Sequence, residues 1–152
     1  MSQLPNKFNI RVYGLFFNDR NEILLSDEFH FGMIMTKFPG GGLQFGEGTI
    51  DCLVREMKEE GMQEIEVTEH FYTTDFYQKA FFTENQQLIS IYYKAKLKGP
   101  VRIKIADRLA DFTGQDEGDQ SFRWVPLERL TPEEITLPVD RHVTRLLKKS
   151  EK

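Results

Sequence analysis

The sequence predicts an α/β fold of the layered α+β kind, a mixed β-sheet sandwiched between helices. The order of its elements carries that expectation. Runs rich in β-branched and aromatic residues come first, one amphipathic helical segment follows, further such runs come next, and a second helical segment closes the chain. No repeat, low-complexity stretch or Pro/Gly/Ser-rich break divides the 152 residues, so one domain spanning 1–152 is expected. The apolar fraction of 39% and the charged fraction of 29% are those of an ordinary globular chain able to bury a core.

The elements follow in order. Phe8 to Phe17 alternates Ile10, Val12, Gly14 and Phe16 with Arg11, Tyr13, Leu15 and Phe17, so both faces are largely apolar and a strand buried on both sides is expected. Asn18-Asp19-Arg20-Asn21 reads as a polar turn and Glu22 to Leu25 as the returning strand. Asp27 to Thr36, with Phe29, His30 and Phe31, reads as a loop. Thr49 is the expected N-cap of a helix over Ile50 to Glu60, stopped by Gly61. Ile65 to Val67 reads as a short strand. Phe71 to Phe82 and Gln87 to Leu97 read as long strands joined at Thr83-Glu84-Asn85-Gln86. Lys98 to Arg108 reads as a linker or a short edge segment, and Leu109 to Gln120 as an acidic loop. Ser121 to Val125 is the expected last strand, and Pro126 to Leu130 a turn or one helical turn. A helix opens at Thr136-Leu137-Pro138 and runs to about Lys149, with Val139, Val143, Leu146 and Leu147 on one side.

Composition narrows the function. The net charge of −4 argues against a chain whose main business is gripping nucleic acid through phosphates. A small phosphorylated ligand remains compatible, because a metal ion supplies positive charge locally. The one cysteine, Cys52, leaves no intramolecular disulfide and no cysteine-based zinc site. Met1 to Lys7 lacks the apolar run of a signal peptide, and no apolar stretch approaches membrane-spanning length, so a cytoplasmic protein with no membrane partner is expected.

The central helix carries the chemistry. At about 100° per residue, Ile50, Leu53, Val54 and Met57 form a stripe for the core. Asp51, Arg55 and Lys58 share a second side, where Asp51 and Arg55 are spaced as an i,i+4 ion pair. Glu56, Glu59 and Glu60 share a third, with Cys52 projecting between Glu56 and Glu59. Three carboxylates on one face repel one another, and they sit at the helix end where the dipole disfavours negative charge. On this projection no Lys or Arg of the helix neutralises them. Hard divalent cations such as Mg²⁺ or Mn²⁺ suit such a face; the ordinary alternative is a solvated acidic surface. Before the helix, Gly40-Gly41-Gly42 and Gly46 let the backbone turn tightly and approach a ligand, and Glu47 stands just ahead of the first turn.

These residues resemble the signature of the Nudix (MutT-type) hydrolases, G-x5-E-x7-R-E-U-x-E-E-x-G-U, with U a bulky aliphatic residue. Gly41 is followed after five residues by Glu47, and after seven more by Arg55-Glu56-Met57-Lys58-Glu59-Glu60. The end departs from the pattern. The closing glycine would fall at Met62 and the last bulky position at Gln63, whereas glycine stands one place early, at Gly61. Phe38-Pro39-Gly40-Gly41 resembles the family's approach to the loop, and Arg123-Trp124-Val125-Pro126-Leu127-Glu128-Arg129-Leu130 its late strand and turn.

The resemblance implies the Nudix fold and hydrolysis of a nucleoside diphosphate linked to another group, X, by attack of water on phosphorus. It implies Mg²⁺ or Mn²⁺ held by Glu47, Glu56, Glu59 and Glu60, with Glu56 and Glu59 as catalytic carboxylates and Arg55 orienting a glutamate. Gly40, Gly41 and Gly42 would approach the substrate, and Arg11 could reach phosphate from the first strand. Some relatives draw a further acid from a loop outside the motif; Glu117, then Asp116 and Asp119, are the candidates. A homodimer is compatible by resemblance only. Cys52 is expected to be a small buried residue, Trp124 a packing residue, and His30, His70 and His142 surface or core fillers. Phe29, Phe31, Tyr72, Phe76 and Tyr77 are expected mainly to pack, although one could stack on a base. Two alternatives stay open: a catalytically silent Nudix-fold module that binds or senses a nucleotide, which the displaced glycine would favour, and an RNA-end processing enzyme, against which the acidic balance weighs.

Overall fold

A computed structural model describes residues 4–112 and 116–150. Thr113, Gly114 and Gln115 of the expected 109–120 loop lie outside the described residues. The strands are β1 (Lys7–Phe16), β2 (Glu22–His30), β3 (Met33–Lys37), β4 (Gly40–Gly42), β5 (Ile65–Thr73), β6 (Gln86–Leu97) and β7 (Gln120–Pro126), and the helices are α1 (Thr49–Gly61) and α2 (Pro138–Ser150). A four-stranded mixed sheet has the order β4-β1-β6-β5, with β1 parallel to β6, and a three-stranded antiparallel sheet has the order β3-β2-β7.

Strand alternation makes the layers. On one side Tyr13, Leu15, Ile23 and Leu25 pack with Val139, Val143 and Leu147 of α2. On the other, Val12, Phe16 and Leu24 pack with Cys52, Leu53 and Met57 of α1. Neighbouring residues of one strand thus serve opposite cores, as the period of two requires. The expected mixed sheet between helices is observed, divided into two sheets.

Several boundaries differ. The residues from Asp27 to Thr36 are not a loop: β2 runs through Phe29 to His30, turns on Phe31-Gly32 (φ +53° and +76°), and returns as β3. Aromatic and β-branched residues there are strand formers, and the glycine supplies the tight turn. β5 is longer than Ile65–Val67 and ends at Thr73, so residues 74–85 are mostly irregular instead of a continuous strand to Phe82. β1 is buried on both faces only from Val12 onward, and Phe8 is exposed. The N-cap of α1 is Gly48, whose N–H donates to Asp51 Oδ2 at 3.3 Å, while the Thr49 hydroxyl pairs with Tyr93 Oη. Ile50 is exposed, and Cys52 takes the buried place expected of it.

The early glycine has a packing cause. A Cβ on Gly61 would lie 2.3 Å from Ile103 Cγ2. The helix continues through Gly61, and Met62, where the family pattern places its glycine, adopts the left-handed C-cap conformation at φ +54°. Gln63, at the bulky aliphatic position, is fully buried. Its Oε1 accepts N–H bonds from Arg102 and Ile103, and its Nε2 donates to the carbonyls of Glu64, Lys98 and Pro100. A polar hub replaces an apolar plug, and the register of the upstream carboxylates is unchanged.

Candidate functional site

β4 lies beside the first turns of α1 because its glycines have no side chains. A Cβ on Gly41 would stand 2.3 Å from the Glu56 carboxyl carbon, and one on Gly40 (φ +149°) 2.0 Å from the Val12 carbonyl oxygen. Asp140 of α2 braces the approach. Its Oδ2 accepts the Phe38 N–H at 3.2 Å and its Oδ1 the Tyr92 hydroxyl, while burial lifts its carboxyl to about 6.

Arg55 organises the carboxylates. Its Nε and Nη2 donate to the two oxygens of Glu47 at 2.9 and 2.8 Å, a bidentate pair. Its Nη1 donates to Glu56 Oε1 at 3.0 Å and Glu59 Oε2 at 2.7 Å, and Nη2 also reaches the Gly42 carbonyl at 3.0 Å. The helical projection therefore misplaced Arg55. Its long side chain leaves the Asp51 side, where no ion pair forms, and neutralises the acidic face. Hydrogen bonds from Arg55 hold the Glu47 carboxyl down to about 2, and its bonds to Glu47 and Glu59 raise the guanidinium further above its ordinary range.

Glu60 stands apart from that network. Its Oε2 is buried with no hydrogen-bond partner among the described residues. Burial raises its carboxyl to about 7; the charges of Glu28 and Glu56 add to the rise, and Lys37 and a hydrogen bond from Gln120 to the carboxyl oppose it. A buried carboxylate oxygen without a donor is costly unless a cation or proton meets it.

Beside Glu60 lies a polar cluster that the sequence reading missed. Glu28 Oε2 accepts from Ser26 Oγ (2.8 Å), Gln120 Nε2 (3.1 Å) and Lys37 Nζ (3.1 Å), and its Oε1 pairs with His30 Nε2 at 2.8 Å. Burial works against the Glu28 charge, but Lys37 and the hydrogen bonds hold its carboxyl down to about 2. Lys37 is itself buried, bonded to the Phe38 carbonyl and placed over the Tyr13 ring. The signal was the spacing Ser26, Glu28, His30, one face of a strand, hidden because the segment read as a loop. Register completes the cluster by pairing Ser26 with Lys37 and Glu28 with Gln120.

A cavity of about 230 Å³ opens onto this cluster, lined by Arg11, Glu28, His30 and Lys37 on its polar side and by Phe31 and Phe82 among its aromatics. Arg11 donates from Nε to Tyr13 Oη at 3.1 Å and feels the charges of both Glu56 and Glu28, so it links the cavity to the carboxylates of α1.

The other expected residues separate. Glu117 is directed at the β2–β3 tip: Oε2 meets His30 Nδ1 at 2.9 Å and Oε1 accepts the Phe31 N–H at 2.8 Å. Asp116 and Asp119 bond each other within their own turn. His30 is therefore an ion-pair bridge and not a filler. Cys52 is buried, with its thiol pushed up to about 11 by burial, which suits a packing residue. Trp124 packs against the α1 core as expected.

Among the described residues, no three His, Cys, Asp or Glu side chains already converge in a metal-ligand arrangement. The donors nevertheless fit a hard divalent ion in kind. They are carboxylate oxygens, one of them buried and unpartnered, beside a glycine strand without side-chain bulk. No helix of the described residues is long and apolar enough to cross a membrane.

The NUDIX domain family matches residues 7–147. No curated protein matches the chain by sequence. Among solved structures, the MutT protein of Methanosarcina mazei Go1 is similar at 18% identity, covering 99% of this chain and 99% of that one, with a TM-score of 0.68. The E. coli ORF135 protein is similar at 18% identity, covering 94% and 90%, with a TM-score of 0.67. An ADP-ribose pyrophosphatase from Streptococcus suis is similar at 18% identity, covering 90% and 84%, with a TM-score of 0.56. At these identities the likeness is one of fold.

Proposed function

The chain belongs to the NUDIX domain family, and from that premise we propose that it is a Mg²⁺- or Mn²⁺-dependent hydrolase cleaving the pyrophosphate bond of a nucleoside diphosphate linked to another group X. The observation that carries the reading is the unpartnered, buried Glu60 oxygen beside the Arg55-held set of Glu47, Glu56 and Glu59. In this reading Glu47, Glu56, Glu59 and Glu60 hold the cation. A divalent cation there supplies positive charge beside the phosphates and lowers the pKa of an attacking water. Arg55 orients Glu47, Glu56 and Glu59 through four hydrogen bonds. Gly40, Gly41 and Gly42 let the substrate come close to β4, and Arg11, which lines the neighbouring cavity from β1, supplies a cation for the substrate's phosphates.

The silent sensing module loses its one point of support, because Met62 takes the C-cap place of the missing glycine and the carboxylates keep their register. The test is a hydrolysis screen with Mg²⁺ and Mn²⁺ over ADP-ribose, nucleotide sugars, nucleoside triphosphates and dinucleoside polyphosphates. Glu59→Gln and Glu60→Gln are expected to abolish turnover while the fold is kept. A fully active Gln variant, or binding without phosphate release across the whole panel, would overturn the reading.

A further inference from the structure

We propose that Glu117 and His30 are positioning residues that clamp the β2–β3 tip so that Phe31 stacks on Phe82, forming an aromatic shelf for the base of the substrate's nucleoside; this rests on the reading of the chain as a nucleoside-diphosphate hydrolase.

The clamp is a chain of contacts. Glu117 holds the tip at two points, the His30 ring at 2.9 Å and the Phe31 N–H at 2.8 Å. The backbone on either side is stitched to the same tip, with Gly118 N–H donating to the Phe29 carbonyl and Phe29 N–H to the Asp119 carbonyl, both at 2.8 Å. His30 meets a carboxylate at each ring nitrogen, Glu117 at Nδ1 and Glu28 at Nε2. An imidazolium donates to both at once, so the surface acid and the buried acid are joined through one ring. Glu28 in turn is fixed by Ser26, Gln120 and Lys37. The tip is therefore anchored to the buried polar cluster around Glu28.

What the clamp holds is Phe31. Its backbone is left-handed, φ +53°, and its side chain is exposed, so neither local preference nor burial fixes it there. Its ring instead lies on that of Phe82 with centroids 4.5 Å apart and an interplanar angle of 20°, and Phe81 meets Phe82 edge-on. These rings line the same cavity as Arg11 and Lys37. A flat aromatic wall faces two cations in one compartment, an arrangement suited to a ligand with a π-face at one end and phosphate at the other. Both Glu117 oxygens are engaged at the tip, one by the His30 ring and one by the Phe31 amide, which gives Glu117 a positioning task.

The experiment compares binding of AMP, GMP, CMP and UMP with binding of ribose 5-phosphate by calorimetry, and steady-state kinetics on a substrate found in the screen. The wild-type protein is expected to bind at least one nucleotide roughly tenfold or more tightly than ribose 5-phosphate. Phe31→Ala and Glu117→Ala should each erase most of that margin, raise KM and leave kcat within about twofold, with ribose 5-phosphate binding unchanged. Glu117→Gln, which keeps an acceptor for the Phe31 N–H, should recover part of the loss. The double variant should be no worse than Phe31→Ala, because Glu117 acts through Phe31. Hydrolysis by a wild-type protein that binds nucleotides and ribose 5-phosphate alike would overturn this inference alone, as would additive losses in the double variant. Absence of hydrolysis across the whole panel would overturn the earlier reading and this one with it.

Discussion

Gly61 and Ile103 approach so closely that no side chain fits between them: a Cβ on Gly61 would lie 2.3 Å from Ile103 Cγ2. The glycine displaced from the family pattern is thus a packing glycine, and the chain reversal falls on Met62 at φ +54°. Gly61→Ala is expected to cost about 1–3 kcal/mol through overpacking. Met62→Gly should stabilise by up to about 1 kcal/mol, because glycine adopts that conformation without a Cβ penalty. Denaturant midpoints check both. Adding Ile103→Ala, which removes Cγ2, should cost less in the Gly61→Ala background than in the wild-type one; a double variant as unstable as the sum of the singles would sink the explanation.

Gln63 closes the same turn with polar bonds. It satisfies two N–H groups and three carbonyls of segments that come together only in the folded chain. Gln63→Leu restores the family's apolar type but leaves those groups without their partner, and is expected to cost about 2–3 kcal/mol. Urea unfolding would decide it. A loss under about 0.5 kcal/mol would mean that the backbone groups find other partners.

The glycine loop, α1, α2 and the strands β1, β6 and β7 were legible because their signals are local: residue spacing, helical period and alternation. The candidate site was legible mainly along one continuous run, from the glycines through Glu47 to the carboxylates of α1. Arg55 was assigned to the Asp51 side because a projection records where a side chain starts and not how far it reaches; the guanidinium ends among Glu47, Glu56 and Glu59. Glu28, His30 and Lys37 were missed for another reason. They meet through the register of β2 with β3 and β7, and those pairings join residues that sequence spacing does not connect. Glu117 and His30 are 87 positions apart and are joined by the fold alone.

The four bonds of Arg55 to carboxylates make a specific prediction about lysine. Lysine keeps the charge but cannot present the planar fork that meets Glu47 bidentately while reaching Glu56 and Glu59. Arg55→Lys is expected to lower kcat by at least about tenfold, about 1.4 kcal/mol in the barrier. The Mg²⁺ concentration for half-maximal activity should also rise, because the carboxylates that Arg55 orients are the proposed ligands of the cation. A variant with both kcat and the Mg²⁺ requirement unchanged would contradict an orienting role.

Glu60 links the fold, the site and pH. In the unfolded chain its carboxyl has the ordinary value of 4.5, and in the fold burial raises it to about 7. Below the lower value both states hold the proton and Glu60 is neutral to stability. Between the two values the unfolded chain releases the proton and the folded chain keeps it, so its contribution to stability falls as pH rises and the full penalty is present above the folded value. In EDTA, Glu60→Gln is therefore expected to melt above the wild-type protein at about pH 8 and level with it at about pH 4. Adding Mg²⁺ should narrow or reverse the difference at the higher pH, since a ligand bound only by the folded wild-type site stabilises it by mass action. Thermal melts at the two pH values, with and without Mg²⁺, measure both. A Gln variant stabilised equally at both pH values would show that steric relief, and not the buried charge, accounts for the effect. Equal Mg²⁺ shifts in the two proteins would remove Glu60 from the cation site while leaving the pH argument intact.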